Sequence, residues 1–190
     1  MKGVILDAVA CMVTEKFGRE VWRKILDEAG FRKFTTFLAT QNVDEKEFTR
    51  LIEALCRVLK IDARQAADAF GDYWMNAYAP RVYPAHFLGC HDARSFVLKL
   101  DAVHAKATEE LEGARPPRFR YEWRGENELL MDYQSPRGMI DFAAGLLKAV
   151  GKHFGERVEV EKLSETRLRL VFEPARAHAA AGAPSGDGKV

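Results

Sequence analysis

The hydrophobic period of the chain changes once, near residue 118, and this change restricts the fold more than any other feature. Before it, apolar residues recur three and four positions apart, which is typical of helices. After it, the segment RFRYEWR (118–124) alternates apolar and charged residues, which is typical of a half-buried strand. We therefore predict an α+β fold, with a helical N-terminal part followed by a four-stranded antiparallel sheet with one inserted helix.

Capping residues and glycines predict where the first four helices begin and end. Acidic residues with a Glu or Gln three positions later are typical helix starts, and glycines are typical helix ends. The predicted starts are Asp44 with Glu47 and Asp62 with Gln65, and the predicted ends of the first two helices are Gly18 and Gly30. We expect the fourth helix to run to about residue 78.

The rest of the chain alternates between predicted helices and hairpins. Pro80 and Pro84 are expected to bound a loop, because proline interrupts helices. Two more helices are predicted over about 92–112 and 139–154. The strands are expected to form two hairpins, one turning at GEN (125–127) and one near Ser164–Glu165.

The end of the sequence differs in composition from the rest. Residues 174–190, PARAHAAAGAPSGDGKV, are rich in Ala, Gly and Pro and have no apolar period, so they are predicted to be a flexible tail. Residues 1–173 are then expected to form one domain, which agrees with the usual size of a single hydrophobic core. No cyclase or kinase fits into the tail, and any signal is expected to pass to a separate protein.

Charge and cysteine usage exclude several classes of function. The formal net charge of +1 provides no electrostatic surface for nucleic acid or an anionic membrane. Cys11, Cys56 and Cys90 are an odd number without a CxxC motif, which argues against a disulfide framework. Asp7 interrupts the apolar N-terminus, so we do not expect a signal peptide, and no stretch is long enough to span a membrane. A cytoplasmic protein is predicted.

His104 lies in the middle of an apolar helical stripe, one turn after Leu100 and two turns after Val97. A neutral imidazole in such a position needs a partner. Two interpretations stay open: a core histidine bonded to a backbone carbonyl, or an axial ligand to a metal in an apolar pocket.

The hexapeptide YQSPRG (133–138) presents three hydrogen-bond donors. In an extended chain, Tyr133, Ser135 and Arg137 would point to one side. They are either ordinary surface groups at a strand end or a clamp for a carboxylate or phosphate. The sequence contains no GxxxxGK or GxGxxG motif, so a carboxylate is favoured. Heme b would satisfy both motifs, because it is flat and largely apolar, carries two carboxylates at one edge and has an iron that needs a histidine ligand.

Three segments resemble the heme-nitric oxide/oxygen binding (H-NOX) family, the heme domain shared by soluble guanylate cyclase and bacterial gas sensors. They are the opening MKGVILDAV…EKFGREVW…ILDEAG, the run LDAVHAKATEELEGARPPRFR and the signature YQSPR. The resemblance extends over residues 1 to about 173. A bare YxSxR motif is weak, but here it follows the histidine of LDAVH with RPP between them, which is specific.

The resemblance implies a site. His104 would ligate the heme iron, and Tyr133, Ser135 and Arg137 would hold the propionates. Pro117 would pack against the porphyrin and help to distort it, and Ile5 and Leu146 would line the pocket between the helices and the sheet.

The resemblance also implies which gas is bound. Family members that hold oxygen carry a tyrosine five residues after the arginine of YxSxR, where this chain has Phe142; Val9, one turn after Ile5, is also apolar. NO and CO are therefore expected to bind, with little or no stable O2 complex. Trp74 is either a space-filling residue or, because its indole is a donor, a group that makes the protein an O2 binder.

The expected mechanism is sensing rather than catalysis. NO would weaken the bond between iron and His104, and the resulting conformational change would regulate a separate protein. The resemblance implies a histidine kinase or a cyclic-di-GMP synthase or phosphodiesterase as that partner. A heme enzyme would need a distal acid–base group, which the predicted residues lack. A heme-free module that binds another anion is the remaining alternative, and a zinc site at Cys90 and His91 would lack a second pair of ligands.

Overall fold

The structure is a computed structural model that describes residues 2–109 and 113–173. The predicted tail, residues 174–190, lies outside the described residues, and so does the predicted end of the helix over 92–112. The predicted α+β architecture is confirmed: a helical N-terminal half is followed by a four-stranded antiparallel sheet with one inserted helix.

The N-terminal half consists of five α-helices, a π-helical turn and a 3₁₀ turn. In chain order these are α1 (Gly3–Phe17), α2 (Arg19–Glu28), α3 (Glu45–Leu59), α4 (Ala63–Tyr73), the π-helical turn (Trp74–Tyr78), α5 (Ala79–Val82) and the 3₁₀ turn (Pro84–His86).

The C-terminal half begins with α6 (Ala93–Thr108), the helix that carries His104. It continues with β1 (Arg118–Trp123), β2 (Glu128–Gln134), α7 (Ile140–His153), β3 (Val158–Lys162) and β4 (Arg167–Phe172). The strands are antiparallel in the order β1-β2-β4-β3, so the two predicted hairpins pair through β2 and β4.

The predicted caps form, with one difference. Asp62 accepts a hydrogen bond from the Gln65 backbone N–H at 2.7 Å, and the Gln65 side chain accepts one from Asp62 N–H at 2.9 Å, which is a complete capping box. Asp44 accepts its bond from the N–H of Lys46 and not from that of Glu47. These local bonds satisfy orphan donors of the first turn and set the starts of α3 and α4.

The loop that we predicted between Pro80 and Pro84 is wrong. Pro80 lies in the first turn of α5, and Pro84 begins the 3₁₀ turn. Proline is tolerated there because the N–H groups of a first helical turn have no partner within the helix. The helix expected to run to Tyr78 also changes its winding to a π-helix at Trp74.

The two halves meet where α4 crosses α7. An added Cβ on Gly145 would lie 2.6 Å from the carbonyl oxygen of Ala67, and one on Gly71 would contact the backbone of Gly145. The two backbones therefore touch without side chains between them. Trp74, just after α4, packs against both hydrophobic cores.

In the part of the chain that the structure describes, no helix combines the length and the apolar character needed to cross a membrane.

Candidate functional site

A cavity of about 270 Å³ lies between the two halves and is bordered mainly by apolar side chains. Its walls come from the start of α1, the π-helical turn, α6, β1 and α7. Because helices and sheet contribute opposite walls, the cavity exists only when both halves are docked. Its volume is close to the lower end of the range, about 300–1,000 Å³, that small-molecule sites usually have.

His104 lies on the wall that α6 contributes. Its Nδ1 is 3.0 Å from the carbonyl oxygen of Leu100, one turn earlier. A carbonyl only accepts, so Nδ1 carries the proton and Nε2 of the neutral ring keeps its lone pair free. Burial lowers the pKa of His104 against the opposing effect of the Leu100 carbonyl. The backbone hydrogen bond expected of a core histidine is therefore present. The same bond leaves Nε2 available as a metal ligand.

Asp101 fixes α6 to the beginning of β1. Its carboxylate accepts two bonds from Arg118, at 2.8 and 2.6 Å, and one from the backbone N–H of Phe119 at 2.9 Å. The Phe119 ring lies 5.4 Å from the ring of His104, centre to centre. This link was missed in the sequence because the two partners belong to different elements.

The proline pair borders the same cavity as His104. Pro116 and Pro117 both border the cavity, immediately before β1. Since proline has a restricted backbone, this part of the wall is stiff. Pro117 is thus located on the wall that α6 and β1 build together.

The predicted alternation of Tyr133, Ser135 and Arg137 is wrong as a strand geometry. β2 ends at Gln134, and the chain then turns through Pro136 to Gly138, whose φ is +61°. Tyr133 is buried in the strand with its ring 6.0 Å from that of Phe119. The extended pattern stops because proline and a glycine in the left-handed region favour a turn.

Arg137 borders the cavity although it lies in the turn. Its Nε donates to Glu45 at 2.8 Å and one terminal N–H donates to the carbonyl of Arg115. The hydroxyl of Ser135 accepts a bond from the Arg137 backbone N–H at 3.3 Å. Ser135 and Tyr133 are not among the residues that border the cavity, so within the triplet only the guanidinium reaches it.

The positions that the resemblance assigned to the distal face are divided between two cavities. Ile5, Trp74 and Leu146 border the cavity that contains His104. Val9 and Phe142 instead border a second cavity further along the same helices. The α-helical period explains the division, because residues four apart lie on one face but at different heights.

Trp74 is held by aromatic neighbours on both sides. Its ring centre lies 5.7 Å from that of Phe70 and 5.3 Å from that of Tyr78, both in stacked arrangements. Its indole N–H has no hydrogen-bond partner among residues 2–109 and 113–173. Trp74 therefore fills space and also leaves a donor unused at the cavity wall.

Two polar residues at the cavity wall were missed in the sequence. Tyr83 and His86 border it, with ring centres 5.5 Å apart. Burial raises the pKa of Tyr83, and burial together with Lys99 and Lys106 lowers the pKa of His86. We expected a loop here, whereas Tyr83 directly precedes the 3₁₀ turn and His86 ends it, and both residues border the cavity.

The donor set fits heme. The cavity offers an imidazole nitrogen on an otherwise apolar wall and a guanidinium at another point of its border, which match an iron centre and an acidic edge. In the described ranges, no group of three or more His, Cys, Asp or Glu residues is arranged to hold a metal ion, so the zinc alternative at Cys90 and His91 gains no support.

A helical half docked on an antiparallel sheet, around an apolar cavity with one prepared imidazole, is an arrangement suited to binding heme. A family model described as Haem-NO-binding matches residues 2–162, and the chain belongs to this family, also called H-NOX. The resemblance found in the sequence is confirmed. Domains of this family bind heme and sense gases, and the sensor domain is not itself catalytic.

Known proteins similar to this chain include soluble guanylate cyclases of Caenorhabditis elegans. The chain is 24% identical over 182 residues to gcy-35, which covers 88% of this chain and 25% of that protein. It is 23% identical over 157 residues to gcy-34, which covers 80% of this chain and 23% of that protein. The chain therefore spans about a quarter of the length of these relatives.

Solved H-NOX structures share the fold. An oxygen-binding H-NOX domain related to soluble guanylate cyclases, in its oxygen complex, superimposes with a TM-score of 0.79 at 22% identity, over 92% of this chain and 96% of that chain. An H-NOX protein from S. oneidensis in the Fe(II) ligation state gives a TM-score of 0.81 at 20% identity, over 92% and 97% of the two chains.

Proposed function

We propose that this domain senses nitric oxide through a heme held in the cavity beside His104. The observation that carries the proposal is the imidazole of His104, whose Nδ1 is bonded to Leu100 while Nε2 stays free at an apolar wall. Heme b in this cavity would be held by His104 and would supply a ferrous iron able to bind NO or CO.

Arg137 has donors to spare for a carboxylate. Two of its N–H groups are used by Glu45 and Arg115, and a guanidinium has five. We assign it to the propionates, with Ser135 stabilising the turn that carries it and Tyr133 anchoring the strand behind it. Pro117, Ile5 and Leu146 border the same cavity and are assigned to the porphyrin faces.

Selectivity for NO and CO over O2 is supported by the apolar character of Ile5 and Leu146. Bound oxygen gains more from a hydrogen-bond donor than NO or CO does, and neither of these side chains has one. Phe142 and Val9 also have none, and they border the second cavity.

Release of His104 would act first on α6 and β1, because Asp101 ties these elements together. We propose that the change is then transmitted to a separate protein, a histidine kinase or a cyclic-di-GMP synthase or phosphodiesterase, and that this chain has no catalytic role. H-NOX domains signal to partners such as guanylate cyclase. The free thiols of Cys11, Cys56 and Cys90 support a reducing, cytoplasmic location.

The test compares His104→Gly with the exposed control His91→Gly. We expect the wild type and the control to show a reduced heme spectrum of five-coordinate iron and to lose the iron–histidine vibration on adding NO. His104→Gly should show that vibration only when free imidazole is added. An NO complex of the wild type that keeps its iron–histidine vibration would contradict the mechanism, and a colourless wild type that cannot take up heme would contradict the cofactor.

Oxygen binding is a second candidate function, favoured by the unpartnered indole N–H of Trp74 at the wall of the same cavity. Trp74→Phe keeps the stacking with Phe70 but removes this donor. If Trp74 donates to a bound gas, air should produce a stable complex in the wild type and a much shorter-lived one in the variant. If air leaves the wild-type spectrum unchanged, this candidate is excluded.

A further inference from the structure

Trp74 and Tyr78 form an aromatic pair at the wall of the cavity beside His104. They stand at the two ends of the π-helical turn, and their rings are stacked, with centres 5.3 Å apart and planes inclined by 22°. Trp74 borders the cavity, whereas Tyr78 does not border it and is 3% exposed. π-helical turns are frequent at functional sites. Stacked rings exchange electrons readily, so this turn connects the cavity to a buried phenol.

The hydroxyl of Tyr78 has a partner that can accept its proton. It donates to Oδ2 of Asp7, on α1, at 2.6 Å, a length typical of a bond from a hydroxyl to a charged carboxylate. Tyr121 provides the contrast, because its hydroxyl donates to the carbonyl of Val97, which is not a base. Burial, and then the bond to Asp7, raises the pKa of Tyr78, so the phenol keeps its proton in the resting protein.

Removal of one electron from Tyr78 reverses this preference for the proton. A phenol that has lost an electron is a strong acid, and its proton would move along the existing hydrogen bond to Asp7. The site would then hold a neutral tyrosyl radical and a neutral carboxylic acid. A partly buried negative charge disappears and no buried cation replaces it, which favours the oxidised state in a poorly solvated site.

Trp74 has no base of this kind. Its indole N–H has no acceptor among residues 2–109 and 113–173, and its other stacking neighbour, Phe70, carries a phenyl ring that is not readily oxidised. A Trp74 that had lost an electron would remain a cation at an apolar wall, which is costly. The electron vacancy would therefore pass to Tyr78, where Asp7 receives the proton.

Tyr83 is a second phenol near Trp74. Its ring centre lies 6.3 Å from that of Trp74, with planes inclined by 38°, and it also borders the cavity. Within the described part of the chain, no carboxylate accepts a bond from its hydroxyl. The two tyrosines thus share the contact with Trp74 and differ in the acceptor, so Tyr83 is the matched control for Tyr78.

We propose that Trp74 and Tyr78 form a redox-active pair that takes one oxidising equivalent from the cavity and stores it as a tyrosyl radical bonded to protonated Asp7. The oxidant is a heme that hydrogen peroxide has oxidised, and this part alone rests on the proposed function. The oxidant gains one electron from Trp74, which regains one from Tyr78. The O–H bond of Tyr78 breaks, and an O–H bond forms at Oδ2 of Asp7.

The same path runs backwards when a reductant is present. Ascorbate, a one-electron reductant, returns the electron to Tyr78, and Asp7 returns the proton, so the pair is restored without loss of atoms. The pair thereby removes from the cavity an oxidising equivalent that would otherwise attack the porphyrin.

The first experiment uses the protein as purified, whether or not it carries heme. Pulse radiolysis in azide solution produces azide radicals, which oxidise tryptophan. We expect the tryptophanyl absorption to convert into tyrosyl absorption at a rate that does not depend on protein concentration. Trp74→Phe and Tyr78→Phe should each lower the yield of this conversion several-fold, and Tyr83→Phe should leave it unchanged. Equal yields in Tyr78→Phe and the wild type would overturn the proposal.

The second experiment adds hydrogen peroxide to the ferric, heme-loaded protein and records electron paramagnetic resonance spectra of frozen samples. We expect a tyrosyl signal in the wild type and in Tyr83→Phe. Tyr78→Phe should lose the signal, and its heme absorption should bleach several-fold faster. Asp7→Asn keeps a hydrogen-bond acceptor but removes the base, so the signal should fall several-fold. An unchanged signal in both Tyr78→Phe and Asp7→Asn would overturn the proposal.

These outcomes separate the redox pair from the proposed function. A protein that takes up no heme contradicts the proposed function, yet the pulse radiolysis result still decides whether the pair exists. An NO complex that keeps the bond to His104 leaves both comparisons intact. If Tyr78→Phe does not fold, Asp7→Asn decides both experiments. A protein that senses NO but forms no tyrosyl radical in either experiment would keep the proposed function and overturn the redox pair.

Discussion

Asp101 precedes His104 by three residues and determines how its helix is held. The carboxylate makes three hydrogen bonds, two to the Arg118 guanidinium and one to the Phe119 backbone, and its side chain is 25% exposed. The Arg118 side chain is 55% exposed, but the contact is bidentate and charge-assisted, so it stabilises more than a typical surface ion pair does. α6 and β1 therefore move together, so a force on His104 reaches the sheet.

Replacing Asp101 by Asn should lower the free energy of unfolding by about 1–3 kcal/mol, the usual cost of losing hydrogen bonds to a charged group. Urea denaturation measures the difference. The control is Glu28→Gln, which removes an exposed ion pair with Arg57 and should change the value by less than about 1 kcal/mol. Equal changes in the free energy of unfolding would show that the bonds of Asp101 stabilise the fold no more than an exposed ion pair does.

The same carboxylate predicts a pH dependence. The hydrogen bonds from Arg118 lower the pKa of Asp101 from 3.8 to about 2 against the opposing effect of burial, and the bond from the Phe119 N–H contributes less in the same direction. Because the folded pKa lies below the unfolded one, the stabilisation is complete above about pH 4 and is lost as the pH falls towards 2. The stability gap between wild type and Asp101→Asn should narrow over that interval; a gap that does not depend on pH would contradict the ion pair.

At the scale of elements, the crossing of α4 and α7 connects the helical half to the half that contains the sheet. Gly71 and Gly145 allow the two backbones to touch, and Lys148 adds an ion pair to Asp68 across the crossing at 2.9 Å. Elsewhere in a helix, glycine is less stable than alanine by roughly 0.5–1 kcal/mol. At this crossing the missing side chain is required by packing.

Gly145→Ala is therefore expected to destabilise the protein by about 1–3 kcal/mol, the usual cost of overpacking, although the helical preference alone would favour alanine. The added methyl would lie 2.6 Å from the Ala67 carbonyl oxygen, and α7 would have to shift. Thermal unfolding gives the sign directly. A more stable Gly145→Ala variant would show that the helices are not in contact.

At the scale of the whole molecule, the cavity beside His104 lies where the two hydrophobic cores approach each other. Val4 and Ile5 pack against the core of the helical half, Met131 and Leu147 belong to the core of the half that contains the sheet, and all four border the cavity. A ligand in this space would contact both cores at once. A ligand bound in this cavity should therefore stabilise each half and also the contact between the two halves.

Loading the protein with heme should raise its unfolding midpoint, because a ligand that binds only the folded state stabilises it, by about 2.7 kcal/mol at a hundredfold excess over the dissociation constant. His104→Gly should gain less, since the apolar contacts remain but the axial ligand is lost. Scanning calorimetry of the heme-free and heme-loaded forms makes the comparison. Equal midpoints with and without heme would contradict binding in this cavity.

Sequence alone determined most of the elements and the family. The helix starts at Asp44 and Asp62, the strand RFRYEWR and the helix over 139–154 depend on periods and caps within a few residues, and such local preferences can be read in order. The spacing of His104, the proline pair and YQSPR identified the family for the same reason, since a motif is a local pattern.

Only the tertiary structure decided which side chains share a wall. Ile5 and Val9 have the same local signal, yet they border different cavities, because residues of α6 and β1 such as His104 and Phe119 line only the first cavity and α3 residues such as Leu55 line only the second. Arg137 reaches the cavity from a turn, through partners that are 92 and 22 residues away in the sequence. Such placements depend on how elements that are distant in the sequence pack together, and local hydrophobic periodicity carries no information about that packing.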